Sequence, residues 1–481
     1  MSRLLKLLLP VLLVPTVAGA QITTGEYVAR RDSLAARIGD GVVLAFGGAT
    51  PTTDFGPFYQ LPAFRYLTGY LYPNADLVMV VRGGRAASTL FVFRTAARRA
   101  LYYGEEPDST AIERELGLAS RDAGDLTRVA DSLAATGLPV YTLRDFEAAD
   151  FAAADSLTRG GQFVRGLAAR HAGLVVKDAH PIVAQLRARK TEAELALLRR
   201  AGEISAEGHT ELMKRIESGM HEYDLQAIIE YTFRRGGAER PAYGSIVGSG
   251  PLSLQLHYMK DRRKMEPGDV VVIDAGAEYD GYAADVTRTL PVSGTFTEEQ
   301  RSVYRIVREA QAAAERNSKP GLSMAAALDS SVRVRARGLA ALGVIESADA
   351  MFDPPWAANC ERAPQSCRQV QLFAIHGITH GIGLEVHDPM QAYQDGIFKE
   401  GDAFTIEPGL YISPKLLEIL PDTPRNRAFA AKVRAAVTRY QNTGIRIEDS
   451  YLITAKGLER ISLAPRDLEE VENLTRRRPV P

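Results

Sequence analysis

The sequence is poor in cysteine and in net charge. Its 481 residues include two cysteines, too few for a disulfide scaffold or a cysteine-rich zinc module. Lysine and arginine number 58 and aspartate and glutamate 59, so the net charge of −1 argues against binding of nucleic acid through a basic surface. After residue 20, no apolar run approaches the roughly 20 residues that span a membrane. With 46% hydrophobic and 24% charged residues, the composition is that of a globular protein of about two or three domains.

Residues 1–20 have the pattern of a secretory signal peptide. Arg3 and Lys6 precede a short apolar stretch that two prolines interrupt, and the small residues Ala18-Gly19-Ala20 follow it. Cleavage after Ala20 predicts an exported protein, periplasmic or extracellular, without a membrane anchor. An uncleaved anchor is the alternative.

The two cysteines lie close together in a proline-rich loop that also contains the only tryptophan. Cys360 and Cys367 are seven positions apart, and Trp356 precedes them. In an oxidising compartment such a pair favours a disulfide bond. Two free thiols are the alternative, because spacing alone does not fix the geometry that the bond requires.

The pattern of apolar residues divides the chain near residue 185. Residues 21–183 alternate helical stretches with apolar segments that read as buried strands, which predicts an α/β domain. The predicted strands are 41–48, 75–83 and 88–94. An amphipathic helical region over roughly 182–218 then opens the second predicted domain, residues 184–481.

Two aspartates flank a glycine-containing turn in the second domain. Asp274 ends the apolar run Val270–Ile273, and the chain returns through Tyr282 to Asp285. The pattern predicts a β-hairpin with one carboxylate on each strand, close enough to share cations. Taken singly, each aspartate is as compatible with a turn or a salt bridge.

Three of the eight histidines occur within twelve residues. They are His376, His380 and His387. The spacing of four between the first two would align them on a helix, but the interleaved glycines favour a loop and strand. The cluster indicates contact with metal or substrate.

Two glutamates stand in apolar runs that predict strands. Glu407 follows Phe404-Thr405-Ile406, and Glu448 follows Ile445-Arg446-Ile447. A carboxylate inside such a strand is costly to bury unless it is paired or bound to a cation. A salt bridge from Arg446 to Glu448 is the alternative. Two aspartates, two glutamates and one histidine form an oxygen-rich set, which favours a hard cation such as Mn²⁺ over a thiolate-type zinc site.

Together these clusters resemble the metal site of the pita-bread metallopeptidases, the family of methionine aminopeptidase, aminopeptidase P and prolidase. The matching motifs, in the family's order, are D-x-G at 274–276, D-x-T-R at 285–288, HGxxHxxGLxVHD at 376–388, EPGLYI at 407–412 and GIRIED at 444–449. The resemblance implies two divalent metal ions, Mn²⁺ first and Zn²⁺ or Co²⁺ as alternatives. The ligands that it implies are Asp274, Asp285, His380, Glu407 and Glu448.

The first half of the chain resembles the accessory domain of aminopeptidase P and prolidase. The matching parts are YVARRDSLAARIGDGVVLAFGG (27–48) and FRYLTGYLYPNADLVMVV (64–81). The resemblance implies an α/β two-domain fold: an N-terminal creatinase/aminopeptidase P-like accessory domain and a C-terminal pita-bread α+β catalytic domain. Methionine aminopeptidases usually lack the accessory domain, and creatinase, which has it, works without metal.

The resemblance also implies an activity and residue roles. The activity is release of the first residue from peptides with proline in second position, with prolidase or an inactive metal- or peptide-binding protein as alternatives. Glu407 would move the proton, Arg446 would orient an acidic ligand and Tyr243 would hydrogen-bond Asp274. The histidines that would bind substrate are His257, His376 and His387. Related enzymes form dimers or tetramers, so a homodimer or homotetramer is expected.

One stretch departs from the family pattern. Family members often carry an asparagine before the histidine of LHY, whereas this chain has Leu252 and Ser253 there. Substrate contacts at this place are therefore expected to differ.

Overall fold

The computed structural model describes residues 21–51, 56–94, 96–143 and 158–476. The signal peptide predicted for residues 1–20 lies outside these ranges and stays a prediction. Within the described ranges, no helix is both long enough and apolar enough to cross a lipid bilayer.

The N-terminal unit is built on one mixed sheet. Its strands are β1 (Gly41–Phe46), β2 (Asp76–Arg82), β3 (Arg85–Val92), β4 (Ala119–Asp122), β5 (Val140–Thr142) and β6 (Val176–Asp178). They lie in the order β4-β3-β2-β1-β5-β6, with β1 antiparallel to β2 and parallel to β5. The helices of this unit are α1 (Thr24–Ala35), α2 (Pro62–Thr68), α3 (Ala97–Tyr103), α4 (Ser109–Leu116), α5 (Leu126–Ala134), α6 (Arg159–Arg170) and α7 (His180–Arg187). The predicted α/β organisation is confirmed.

The central strand β1 is buried along its whole length, which explains its unbroken apolar sequence. Because successive side chains of a strand point to opposite faces, Val43 and Ala45 pack into one apolar cluster. Val42 and Leu44 pack into another cluster on the opposite face. Helices therefore cover both faces of the sheet.

The helical region predicted over roughly 182–218 is helical and consists of two helices. The first, α7, ends at Arg187, and the second, α8 (Glu192–Met213), begins after Thr191. The Thr191 side chain accepts from the backbone N–H of Glu194, whose carboxylate accepts from the backbone N–H of Thr191 at 2.9 Å. This capping box starts a new helix within a continuous amphipathic pattern.

The C-terminal unit combines four small antiparallel sheets with long helices. Its strands are β7 (Arg240–Pro241), β8 (Ile246–Ser249), β9 (Val270–Asp274), β10 (Ala277–Tyr279), β11 (Tyr282–Ala283), β12 (Thr287–Pro291), β13 (Ala403–Ile406), β14 (Gly409–Ile412), β15 (Thr443–Arg446), β16 (Asp449–Thr454) and β17 (Gly457–Arg460). The sheets are β12-β9-β8, β13-β16-β17, β14-β15 and β11-β10-β7. Besides α8, the helices are α9 (Glu222–Arg235), α10 (Glu298–Asn317), α11 (Met324–Ala341), α12 (Gln391–Asp395), α13 (Lys415–Glu418), α14 (Pro424–Arg439) and α15 (Leu468–Thr475).

The predicted hairpin around the two aspartates exists, with an elaboration. Strands β9 and β12 pair antiparallel, and Thr287 lies opposite Asp274. The connection between them forms a second small hairpin, β10–β11. Asp285 consequently lies just before β12 rather than within it.

Two further sheets meet this hairpin near the end where β9 stops and β12 begins. The backbone N–H of Glu448 donates to the carbonyl of Thr287 at 3.0 Å. The Thr289 hydroxyl donates to the carbonyl of Arg446 and accepts from its backbone N–H, each at 3.0 Å. These bonds hold the β15–β16 junction beside the two aspartates.

Both predicted glutamates lie at breaks between strands, not inside strands as the sequence suggested. Glu407 follows β13 and precedes Pro408, and Glu448 lies between β15 and β16. Proline has no N–H for a strand ladder, so the chain is interrupted at Pro408 and β14 begins afresh. At these breaks the two glutamates lie outside the strand pairing, and both side chains line the same cavity.

The loop before the histidine cluster carries a disulfide bond. Cys360 and Cys367 are joined, with their Cα atoms 5.6 Å apart. Near the start of this loop, Trp356 packs edge-on against buried Phe352, with ring centroids 5.9 Å apart.

Charged pairs connect the N-terminal and C-terminal units. Arg187 of α7 and Lys190 of the connection both bind the buried carboxylate of Asp388. Arg30 of α1 lies 3.4 Å from the carboxylate of Glu194 on α8. The boundary predicted at residue 183 itself stays a prediction.

Candidate metal centre and active site

One cavity of about 310 Å³ collects nearly all the residues that the sequence singled out. It lies where the strand ends of the C-terminal sheets meet the histidine-containing segment. Among its lining residues are Asp274, Asp285, His257, His376, His380, His387, Glu407, Arg446 and Glu448. Tyr243 does not line the cavity, but its hydroxyl contacts two residues that do, Asp274 and Asp285.

Asp274 is fixed by two donors. The Tyr243 hydroxyl donates to Oδ1 at 2.6 Å, and Arg446 Nη2 donates to Oδ2 at 2.6 Å. The Tyr243 hydroxyl also contacts Oδ1 of Asp285. The tyrosine therefore ties the two aspartates together, and the hydrogen bond to Asp274 expected from the sequence is present.

Arg446 pairs with Asp274, not with Glu448. Besides Asp274, its guanidinium donates to the hydroxyls of Thr287 and Tyr411 at 3.1 and 2.9 Å. The alternative of a salt bridge from Arg446 to Glu448 is wrong, because the Arg446 guanidinium is engaged by Asp274, and Glu448 Oε2 instead accepts from the hydroxyl of Thr287.

Asp285, His380 and Glu448 offer ligand atoms that all lie within 4.8 Å of one another. His380 Nε2 is 3.4 Å from Asp285 Oδ2 and 3.9 Å from Glu448 Oε1. Glu448 Oε2 accepts from the hydroxyl of Thr287 at 2.6 Å, whereas its Oε1 is buried without a hydrogen-bond partner. A buried carboxylate oxygen with no partner is the kind of atom that a cation satisfies.

Glu407 faces two histidines. Its Oε1 is 3.3 Å from His380 Nε2, and its Oε2 is 3.5 Å from His376 Nδ1. The other ring nitrogen of His376 lies 2.8 Å from the hydroxyl of Tyr411. Glu407 and His376 thus stand side by side at the cavity wall.

His257 and His387 complete the wall. The rings of His387 and His380 lie 4.1 Å apart between centroids. Burial, with His380 and His257 adding to it, lowers the pKa of His387 to about 4, and burial lowers the pKa of His376 to about 3. Both are therefore neutral at neutral pH and each carries one N–H. Nδ1 of His376 lies 2.6 Å from the carbonyl of Gly377.

The electrostatics of the cluster favour bound cations. Burial raises the pKa of Glu407 to about 7, and burial raises the pKa values of Asp285 and Glu448 as well, with neighbouring carboxylates adding to the effect. Burial opposes protonation of His380, yet Asp285 and Glu407 raise its pKa to about 9. Carboxylates that repel each other in this way are stabilised by a divalent cation.

Close backbone approach explains one glycine of the site. A Cβ at Gly409 would lie 2.7 Å from His376 Nε2 and 2.6 Å from the hydroxyl of Tyr411. A side chain there would displace the His376–Tyr411 pair, so the glycine of the EPG segment is required by packing.

Several supporting residues were missed by the sequence analysis. Tyr411 links His376 to Arg446, and Thr287 links Glu448 to Arg446. Tyr411 lies within EPGLYI and Thr287 within D-x-T-R, so both motifs contained the signal. The stretch around Ser253, where the sequence departs from the family pattern, packs on β15: its hydroxyl accepts from the backbone N–H of Gly444 at 3.1 Å.

These carboxylates, histidines and strand junctions define a metal-dependent hydrolase. Residues 196–455 match "Metallopeptidase family M24", and residues 27–138 match "Aminopeptidase P, N-terminal domain". The chain belongs to the aminopeptidase P family of these metallopeptidases.

Individual relatives span nearly the whole chain. The Xaa-Pro aminopeptidase of Escherichia coli is 32% identical over 95% of this chain and 98% of its own length. The Xaa-Pro dipeptidase of Homo sapiens is 30% identical over 92% of this chain and 90% of its own. Among solved structures, zinc-substituted E. coli aminopeptidase P in complex with product has a TM-score of 0.77 and 31% identity, covering 95% of this chain and 98% of that one.

Proposed function

We propose that the protein is a dinuclear metal-dependent Xaa-Pro aminopeptidase. The observation that carries this proposal is the single cavity in which four carboxylates and three histidines converge beside His380. The similarity to a bacterial Xaa-Pro aminopeptidase over almost the entire chain supports the substrate class. The proposed ligands are Asp274, Asp285, His380, Glu407 and Glu448.

The charge of the site supports two cations instead of one. Four carboxylates face one guanidinium, that of Arg446, which leaves three negative charges. One divalent ion does not neutralise them, whereas two ions together with a deprotonated water do. The oxygen-rich donor set favours Mn²⁺, and a relative has been studied with zinc in its site, so Zn²⁺ and Co²⁺ are the alternatives.

The bound ions would lower the pKa of a water molecule and polarise the scissile carbonyl. Glu407 takes the proton of the attacking water and transfers it to the departing proline nitrogen. His257, His376 and His387 donate hydrogen bonds to the peptide and stabilise the negative charge that develops on the carbonyl oxygen. Arg446 and Tyr243 hold Asp274 in place.

A dedicated site is needed because of the chemistry of proline. Its nitrogen carries no N–H, and its ring fixes φ, so peptidases that bind substrates as extended strands accept it poorly. The second candidate is Xaa-Pro dipeptidase, since the chain is also similar to the human enzyme of that name.

The deciding experiment compares Xaa-Pro dipeptides with longer Xaa-Pro peptides, using protein stripped of metal and reloaded with Mn²⁺, Co²⁺ or Zn²⁺. Metal-dependent cleavage of longer peptides is expected, and cleavage of dipeptides alone would make the protein a prolidase. Stoichiometric metal binding without cleavage would favour the inactive binder. Asp285→Ala should abolish turnover with the fold intact, whereas Asp422→Ala, at the surface, serves as the control.

We further propose export and self-association. The signal-peptide pattern of residues 1–20 and the disulfide bond both suit an oxidising compartment. Detection of the protein outside the cytoplasm tests export.

Three consecutive large side chains of α3, Leu101, Tyr102 and Tyr103, are each more than 70% exposed, which supports a contact with a second copy in a dimer or tetramer. A size measurement in solution of the wild type and of Tyr102→Ser tests self-association.

A further inference from the structure

A second cavity opens beside the metal centre. It has a volume of about 420 Å³ and shares two wall residues, His376 and Gly377, with the metal-site cavity. We call it the side cavity. The two cavities are therefore neighbours, with the His376–Gly377 segment between them.

Most of the side cavity's wall is apolar. Helix α11 contributes Leu328 and Val332, the disulfide-containing loop contributes Trp356, and Ile375 precedes the histidine cluster. Trp356 is 41% exposed and Ile375 40% exposed, so both present large apolar surfaces to solvent. Such surfaces suit the aliphatic part of a peptide.

One charged group is buried at this wall. Arg335 of α11 lines the side cavity and is only 2% exposed. Its Nη1 donates to the carbonyl of Gly409 at 3.3 Å, and its Nε has no hydrogen-bond partner. In the described part of the chain, no carboxylate lies within 4.0 Å of this guanidinium.

A buried guanidinium without a carboxylate partner is costly. Removing a cation from water requires compensation by an anion or by a full set of hydrogen bonds, and Arg335 has neither. It stands at the wall of an open cavity that His376 also lines, so an anion bound in this cavity would lie beside it. A carboxylate would satisfy it through paired, charge-assisted hydrogen bonds.

We propose that the side cavity binds a carboxylate of the peptide substrate at Arg335. This inference rests on the proposed peptidase function and adds a preference to it. The carboxylate has two possible sources: the side chain of a first residue such as glutamate, or the free C-terminus of a short peptide.

Two pairs of substrates separate these sources. The first pair is Glu-Pro-Ala-amide and Gln-Pro-Ala-amide, which differ only in the side-chain charge. The second is Ala-Pro-Ala and Ala-Pro-Ala-amide, which differ only at the C-terminus. The wild-type protein should favour the carboxylate member of one pair roughly tenfold or more in kcat/KM, the size expected of a hydrogen bond to a charged group.

Arg335→Met should bring that ratio close to one, and Arg335→Lys should restore part of it. Arg337→Met is the matched control, because Arg337 is an exposed arginine on the same helix and should leave the ratio at the wild-type value. Removing an uncompensated buried charge should leave the melting temperature of Arg335→Met equal to or above that of the wild type.

The opposite results would overturn the inference. Ratios near one for both pairs in the wild type would show that no carboxylate is recognised. An equal loss on all four substrates, with a lower melting temperature, would show that Arg335 only supports the structure. Cleavage of Gln-Pro-Ala-amide and Ala-Pro-Ala-amide, the members without the tested carboxylate, by the wild type tests the peptidase function itself, so the two proposals fail separately.

Discussion

At the scale of single residues, Tyr243 shows how a side chain outside the cavity determines its geometry. It contacts both aspartates, Asp274 at 2.6 Å. Tyr243→Phe removes both bonds and frees the two carboxylates to separate. We expect metal affinity or kcat/KM to fall roughly 10- to 100-fold, the usual effect of losing a partner of metal ligands.

Metal titration and peptide kinetics of Tyr243→Phe measure this effect. Tyr231→Phe is the control, since Tyr231 lies on α9 with 63% of its surface exposed. Wild-type metal affinity and wild-type turnover in Tyr243→Phe would contradict a positioning role.

His209 predicts a pH dependence of stability. It is buried in α8, its Nε2 lies 2.9 Å from the carbonyl of Ala275, and burial lowers its pKa to about 4. Below about pH 6.5 the unfolded chain therefore binds a proton at His209, whereas the folded chain binds it only below about pH 4. Its contribution to the free energy of unfolding is complete above pH 6.5 and falls by about 2 kcal/mol at pH 5.

His209→Gln cannot titrate but can still donate to the carbonyl of Ala275. Urea unfolding at pH 7 and pH 5 should therefore show a smaller acid destabilisation in the variant than in the wild type. The same loss of stability in both proteins would rule out His209 as its source.

How much of the site could be predicted depends on where its residues stand in the sequence. Asp274, Asp285 and Glu407 stand in motifs of glycine and carboxylate that indicate chemistry without any structure, and the structure brings them to one cavity. Arg335 stands in an ordinary helix between other arginines. Only folding places it beside His376, so no local pattern could reveal it.

At the scale of elements, the apolar patterns predicted β1, β2 and β3 of the first sheet within a few residues, because these strands contain long buried runs. They did not reveal β4, β5 and β6, which are only three or four residues long. The patterns did not locate the breaks within such stretches. The capping box at Thr191 divides an amphipathic stretch into α7 and α8, and Pro408 interrupts what reads as one strand. Such breaks depend on single side chains, whereas periodicity averages over many.

The disulfide-containing loop acts as one element that carries Trp356 to the side cavity. Replacing both Cys360 and Cys367 by serine removes the closure of a short loop, which should lower the free energy of unfolding by about 2 kcal/mol. We expect kcat/KM to fall while the number of bound metal ions stays the same.

Chemical unfolding, kinetics and metal analysis of the double variant give these three quantities. Trp356→Ala with the disulfide intact separates loss of the aromatic wall from loss of the loop's conformation. If the kinetics of the double variant equal those of the wild type, the loop has no role in substrate binding.

At the scale of the whole molecule, the two units are coupled through Asp388. Its buried carboxylate binds Arg187 of the N-terminal unit and Lys190 of the connection. Arg187→Met leaves a buried charge half compensated, which should cost roughly 3 kcal/mol of unfolding free energy. Because Asp388 follows His387 directly, we also expect a lower kcat.

Denaturant unfolding and peptide kinetics test this coupling. Arg189→Met is the matched control, because Arg189 is an exposed arginine two positions further along. If the Arg187 variant unfolds like the wild type and turns over substrate equally fast, the units are independent.

The anchoring of Asp388 also limits how such proteins can exchange domains in evolution. A first unit taken from another protein would have to bring a cation to the position of Arg187, or the carboxylate beside His387 would lose a partner. We therefore expect a chimera with the first unit of a relative to be stable only where that unit supplies a cation at this position.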